Sequence, residues 1–432
     1  MPKNKKKGGL KVADKSRQGS RPPTDDECDT GDNWSTASVL SEDANSLPDS
    51  GGDVETEDSN TQEDFEDKLK ECIEGTLSKS AVTRKSCLEG IQKSFSKKYI
   101  LEFLTDRKVT VADCLTKCLR KGKGDEQALA ASCIALLITQ LGEEAEALFV
   151  ELRPFMLTVM ADKSASVKAR GKCANALAIC NFLAGEDLEH VRTVMTALED
   201  VFRASYVKGD NSSPSHSPEV CAMHSKALSG WCLLLSIAPS FLVEEMVSSH
   251  LDRMTGLLRS SDVDLRITAG EAIALMYELS REGDEDFEGP KMLELCELLK
   301  QLATDSNKFR AKKDRRQQRS SFRDILRTIE EWDAPDMSIK FGVEGLHLDS
   351  WVRKKQYDTF CDLLGSGIYQ HLQENTLIRE IFGLGAPRPI GAKPPQKLTK
   401  FERNMYNAAA FKARTKLRQK HRDKRSVSVN GV

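Results

Sequence analysis

The sequence predicts an all-α chain built as an armadillo- or HEAT-like helical repeat solenoid, with a disordered N-terminal arm and a basic C-terminal helix. Three observations predict it. From about 67 to 332, Leu, Ile, Ala, Cys and Phe recur three and four residues apart, the spacing that puts apolar side chains on one helical face. One helix template returns at a near-constant interval. Charge is sorted into blocks although the formal net charge of the 432 residues is only −2.

The arm, residues 1–66, comes first. Lys3 to Arg21 holds eight basic residues against Asp14 alone, and Pro22 to Asp67 holds sixteen acidic residues and no Lys or Arg. With almost nothing apolar to bury, such a segment cannot offset an ordering cost of roughly 1 to 2 kcal/mol per residue. Apart from Phe65 at its very end, its one aromatic is Trp34, which reads as incidental or as a short docking site, and Thr24, Ser46 and Ser50 each stand three residues before an acid, as acid-directed phosphorylation requires.

The repeats, residues 67–332, follow from the template of an anchor, two small or apolar residues three and four later, and two more at six and seven. Arg84 with Leu88 and Ile91, Gln127 with Ala131 and Ile134, and Arg170 with Ala174 and Leu177 are spaced by 43 residues. His224 comes 54 later, after the polar insert Val207 to Pro218, then Arg266, then a weaker copy at Arg319. A period of 40 to 47 residues is that of stacked helix pairs or triplets, whose units bury their apolar stripes only against each other. An irregular bundle with evenly spaced loops is the alternative.

Residues 333–385 are expected to cap the end of the rod with two helices, Trp351 to Leu364 and His371 to Phe382, around Gly365-Ser366-Gly367. Residues 386–399 form a linker stiffened by Pro387, Pro389, Pro394 and Pro395. Residues 400–425 form the last helix, and 426–432 a short tail.

Composition excludes several function classes. No apolar run reaches the roughly 18 residues of a membrane span, and no apolar stretch follows the basic start, so neither membrane partner nor secretion is expected, and the chain belongs in the cytoplasm or also the nucleus. The twelve cysteines include no C-x-x-C pair and read as small buried hydrophobes. No phosphate loop, nucleophile elbow or zinc-protease motif is present, so the reading is no enzyme, no metal, no cofactor and no small-molecule substrate. Gly122 and Gly124 read as a turn between helices.

The informative chemistry is cationic. Lys412, Arg414, Lys416, Arg418, Lys420, Arg422 and Lys424, followed by Arg425, place a cation at every second position. Steps of two advance about 200° around a helix, so these charges point in every direction and leave no face for a protein core. That suits a channel walled by phosphate, as in folded RNA. A solvated tail or a nuclear import signal are the plain alternatives. A second candidate is the loop Lys308, Arg310, Lys312, Lys313, Arg315, Arg316 and Arg319, expected between a helix ending near Thr304 and one starting near Ser320.

Particular phrases resemble the interferon-related developmental regulator family. They include Gln62-Glu63-Asp64, Lys121-Gly122-Lys123, Ala269-Gly270-Glu271, Leu302-Ala303-Thr304-Asp305, Arg310-Ala311-Lys312, Leu364-Gly365-Ser366-Gly367 and Ala409-Ala410-Phe411-Lys412-Ala413-Arg414. Ile381-Phe382-Gly383-Leu384-Gly385 is more similar to the second paralogue, the opening residues to the first. The resemblance implies an armadillo-like body without enzymatic activity, and two themes. One is translational silencing, with the body in the ribosome's P and E sites and the C-terminal helix in the mRNA channel, the partner being the ribosome and its RNA. The other is a nuclear scaffold for transcriptional co-regulation in differentiation, with co-repressor proteins bound by the acidic arm and the concave rod.

Overall fold

The computed structural model describes residues 55–388, apart from 186, 211 and 306–310, all within one compact unit. The helices run in antiparallel pairs: α1 (Glu55–Gly75) with α2 (Ala81–Lys97), α4 (Lys108–Lys121) with α5 (Asp125–Leu141), α6 (Glu146–Ala161) with α7 (Val167–Ala184), α8 (Leu188–Phe202) with α9 (Pro218–Leu235), α10 (Ser240–Leu257) with α11 (Val263–Gly283), and α12 (Met292–Thr304) with α13 (Lys312–Glu331). A one-turn helix, α3 (Leu101–Thr105), precedes α4. The second members, α2, α5, α7, α9, α11 and α13, pack side by side as one layer, each on the next. This is a helical repeat rod with two helices per unit.

All six template copies lie on these second helices. The layer is tight because the template alternates bulk with small residues. Ala130, Ala131, Cys133 and Ile134 are buried completely, as are Cys173, Ala174 and Leu177. A Cβ added to Gly230 would stand 2.6 Å from Ala178 Cβ, and one on Gly270 would stand 2.7 Å from Phe322 Cε1. These helices approach so closely because those positions carry no side chain. Four of the six start at a short polar cap. Ser80, Ser166, Ser217 and Asp262 accept from the backbone N–H groups of Thr83, Ala169, Val220 and Leu265 at 3.3, 3.1, 3.4 and 2.8 Å. Most of the described cysteines are buried, Cys133, Cys173, Cys180 and Cys232 deep in the core, whereas Cys72, Cys87 and Cys361 are half-buried, and none of the described cysteines is bonded to another. Burial pushes the Cys173 and Cys232 thiols up to about 12, far from the thiolate range.

Three expectations need correction. Helix α1 begins at Glu55, inside the stretch assigned to the arm. Acidic residues favour the first turn of a helix, Gln62 Nε2 donates to Glu66 across one turn, and Phe65 is covered by the Lys98 ammonium at 4.2 Å, which gives this polar segment an anchor.

The second correction is a β-hairpin among described residues that are otherwise helical or loop. β1 (Met337–Phe341) pairs antiparallel with β2 (Glu344–Leu348) through a two-residue turn whose first residue, Gly342, has a φ of 50°. Alternation directs Ile339, Phe341, Leu346 and Leu348 inward.

The third concerns the segment expected to cap the rod's end. It lies across the layer of second helices. α14 (Trp351–Leu364) packs on α11, α9, α5 and α2, and α15 (Ile368–Glu374) and α16 (Thr376–Ile381) reach the first units of the rod. Phe360 meets Phe182 of α7 edge-on with ring centres 6.3 Å apart, and Gly367 sits so close to α2 that an added Cβ would be 1.8 Å from the Ser96 carbonyl oxygen. His371 Nε2 donates to the Phe95 carbonyl at 3.2 Å and Asn375 Nδ2 to the Thr139 carbonyl at 3.0 Å. The apolar stripe of the second helices thus closes on a single strap of chain drawn from its own C-terminal part. Arg379, 1% exposed, fastens the strap to the hairpin through two bonds to Glu344 at 2.9 and 3.0 Å.

Candidate RNA-binding surface

The basic loop of the sequence is largely a helix. Lys312, Lys313, Arg315, Arg316 and Arg319 occupy the first two turns of α13, which starts at Lys312 and not near Ser320; Lys308 and Arg310 lie outside the described residues. Lys, Arg and Gln are good helix formers, and the helix has an internal anchor that the loop reading overlooked. Gln318 is buried, and its Nε2 donates to the Leu302 carbonyl at 3.3 Å and to Asp305 at 3.2 Å, tying the start of α13 to the end of α12. One turn later Phe322 and Ile325 enter the core, with Ile329 beyond. At the far end Arg281 donates to the carbonyls of Thr328 and Ile329 at 2.8 and 2.9 Å while its guanidinium lies 3.9 Å from the Trp332 ring.

The result is a rigid rod end that carries cations outward. Lys312, Lys313 and Arg316 are exposed, and Arg315 and Arg319 are half-buried. The first turn of a helix disfavours positive charge, and only Asp314 balances it there. The cluster therefore costs stability where it stands, and gains only when an anion is presented to it. Lys412, Arg414, Lys416, Arg418, Lys420, Arg422, Lys424 and Arg425 lie outside the described residues.

The layer of second helices offers little surface of its own where the strap crosses it. Lys354 of α14 is held between Glu271 of α11 at 3.2 Å and Asp358 at 2.6 Å. Burial works against its charge, but the two carboxylates outweigh this and raise the ammonium above its ordinary range. Lys355 bonds Ser229, and Lys226 bonds Asp362. Glu278 accepts from the backbone N–H groups of Trp351 and Val352 at 2.8 and 2.9 Å, serving as an external cap for α14. The charged pairs that sequence reading left unassigned are the fastenings of this strap. Their signal, cations and acids standing at separated positions on α9, α11 and α14, has no periodicity by which a sequence would reveal it.

Among the described residues no His, Cys, Asp and Glu side chains gather as a metal site. A cleft of about 600 Å³ lies between α8 and α10 and is lined by Arg192, Glu199, Trp231, Glu245, His250 and Arg253. His250 Nδ1 is 3.0 Å from the Tyr206 hydroxyl and its Nε2 is 3.4 Å from Glu199. Burial lowers the His250 pKa against the pull of Glu199, and burial raises that of the Tyr206 phenol. This trio ties α8, the turn after it and α10 together. His224 is equally internal, 2.6 Å from Ser205 Oγ. No described helix is long and apolar enough to cross a membrane.

Comparison with known proteins places these features in a family context. The model for "Interferon-related developmental regulator (IFRD)" matches residues 33–330, and that for "Interferon-related protein conserved region" matches 375–426. The chain is 43% identical to interferon-related developmental regulator 1 of Homo sapiens over 388 residues, 89% of this chain and 86% of that protein. It is equally 43% identical to interferon-related developmental regulator 2 of Mus musculus over 380 residues, 87% and 86% of the two chains. The two paralogues are thus not separated by overall identity. A designed armadillo repeat protein aligns over 60% of this chain and 99% of its own with a TM-score of 0.39 and 15% identity.

Proposed function

This chain belongs to the interferon-related developmental regulator family, and from that premise we propose that it binds the ribosome and inhibits translation of mRNA. In this reading the repeat body occupies tRNA sites and the basic C-terminal segment enters the mRNA channel. The observation that carries it is the outward cationic start of α13, a charge cluster placed at the helix end where it is least stable. The sequence from Lys412 to Arg425, with cations at alternate positions, supplies the second contact. Both segments fall inside the stretches matched by the two family models.

The alternative is a nuclear co-regulator that takes protein partners along the inner face of the rod. Support for it is weaker, because the chain's own α14 to α16 already fill much of that face.

The test is cosedimentation with purified 80S ribosomes. Full-length protein is expected to pellet with ribosomes, and protein ending at Lys400 to lose most of that binding. Affinity should fall steeply between about 50 and 200 mM salt, since every phosphate contact releases counterions. Binding by the truncated chain equal to that of the full chain, or insensitive to salt, overturns the proposal.

A further inference from the structure

The cationic start of α13 is the last step of a longer row. In every unit the turn between first and second helix lies on one edge of the rod, as shown by contacts between the starts of neighbouring second helices. Asp125 at the start of α5 bonds both Lys85 of α2 and Lys168 of α7 at 2.7 Å, and Ser225 of α9 meets Thr268 of α11 at 2.8 Å. This edge presents exposed cations unit after unit: Lys79, Lys121, Lys123, Lys163, Lys208 and Arg259, before Lys312 and Lys313 are reached. Four acids on the same edge are engaged, while Glu219, Asp264 and Asp314 stand exposed among the cations. Asp125 serves its two lysines, which hold its carboxyl down at about 2, while Asp162, Asp210 and Asp262 accept the backbone N–H groups of Ser164, Ser212 and Leu265.

The opposite edge, where one unit passes to the next, has the other sign. Glu146, Asp187, Glu189, Glu282, Asp284 and Glu331 are exposed there. Its cations are largely paired: Lys108 with Glu144 at 2.6 Å, Arg192 with Glu245 at 2.6 Å, and Lys291 with Asp252 at 3.1 Å. The first passage, with exposed Lys97 and Lys98, is the exception.

We infer that the edge formed by the turns within the units is an extended track for the phosphate backbone of folded RNA, and that the acidic edge faces away from it. Neighbouring helices stand about 8 to 10 Å apart, so the six units spread this track over roughly 40 to 50 Å. A single phosphate would occupy one step. A row of this reach matches a polyanion whose charges continue, and the acidic edge excludes the reverse orientation by repulsion. The inference rests on the ribosome-binding reading and assigns the surface of the body that meets the RNA.

The test uses full-length protein carrying Lys121→Gln, Lys123→Gln and Lys163→Gln together, and a second variant with Lys163→Gln and Lys208→Gln. A control carries Glu282→Gln and Asp284→Gln on the other edge. Binding to purified 80S ribosomes is measured over a series of potassium chloride concentrations, with thermal melts to verify the fold. Loss of three phosphate contacts should reduce the slope of log affinity against log salt by about 2 to 3, and loss of two by about 2, with the control unchanged. Wild-type slopes in both lysine variants, while truncation after Lys400 still abolishes binding, overturn the track and leave the ribosome reading intact. Failure of the unmodified protein to cosediment overturns the ribosome reading and the track with it.

Discussion

The most direct probe of the architecture is Phe360→Ala. Phe360 is 1% exposed at the crossing of α14 over the layer of second helices, with ring centres 6.3 Å from Phe182 and 6.1 Å from Phe382. Removing a fully buried phenyl ring costs about 3 to 5 kcal/mol, the transfer term plus the cavity left behind. The upper part of that range applies, because α7 is packed on α5 and α9 and cannot collapse into the hole, and because two edge-to-face pairs, together about 1 to 3 kcal/mol, are lost as well. Chemical denaturation followed by circular dichroism reads the loss, and hydrogen exchange locates it. Amides of α14 and α15 should lose protection before those of α5 and α7. A loss below about 1 kcal/mol, or unchanged exchange in α14, refutes the strap as a part of the core.

Four further outcomes follow from the same contacts. Gly270→Ala places a methyl 2.7 Å from Phe322 and 2.8 Å from Ile325, and is expected to lower stability by about 1 to 3 kcal/mol in thermal melts. His371 is kept neutral in the fold by burial, against its bonds to the backbone of Phe95 and Ser96, and its pKa drops from 6.5 to about 4. The unfolded chain therefore takes up the proton first as pH falls, so stability is complete above pH 6.5, declines between 6.5 and about 4 and levels beneath that, by about 3 kcal/mol for this residue. Urea titrations at pH 7 and pH 4.5 should show that decline, and His371→Gln should make it shallower. Arg379→Met removes the partner of Glu344 and of several carbonyls, and is expected to cost about 3 to 5 kcal/mol by denaturant titration. Thiol titration of the native protein should leave Cys133, Cys173, Cys180 and Cys232 unlabelled until denaturant is added.

The repeat was legible because it is periodic. Anchors at Arg84, Gln127, Arg170, His224, Arg266 and Arg319 locate the six second helices, since identical packing demands repeat at each step. The first helices left no such trace, for they face solvent on one side and tolerate varied residues. The start of α13 was missed because its determinant, buried Gln318, is a polar residue in a polar stretch. The hairpin spans five residues per strand, too short for alternation to stand out against helical spacing. The strap's helix Trp351–Leu364 was visible in the sequence, but its destination was not, because bulky apolar residues state that a surface is covered and not which one. The same limit applies to the candidate site: a run of cations is plain in sequence, whereas the row along one edge requires knowing which turns lie together.

A rod of stacked repeats ordinarily allows its stability to be added up from neighbours alone, so that it can melt from either end. The strap alters that arithmetic. His371 contacts Phe95 across 276 positions of chain and Asn375 contacts Thr139 across 236, so the earliest units are completed by segments that a ribosome synthesises near the finish. Until those segments emerge, α2 and α5 present bare apolar surface, and afterwards both ends of the rod are bound to share one unfolding transition.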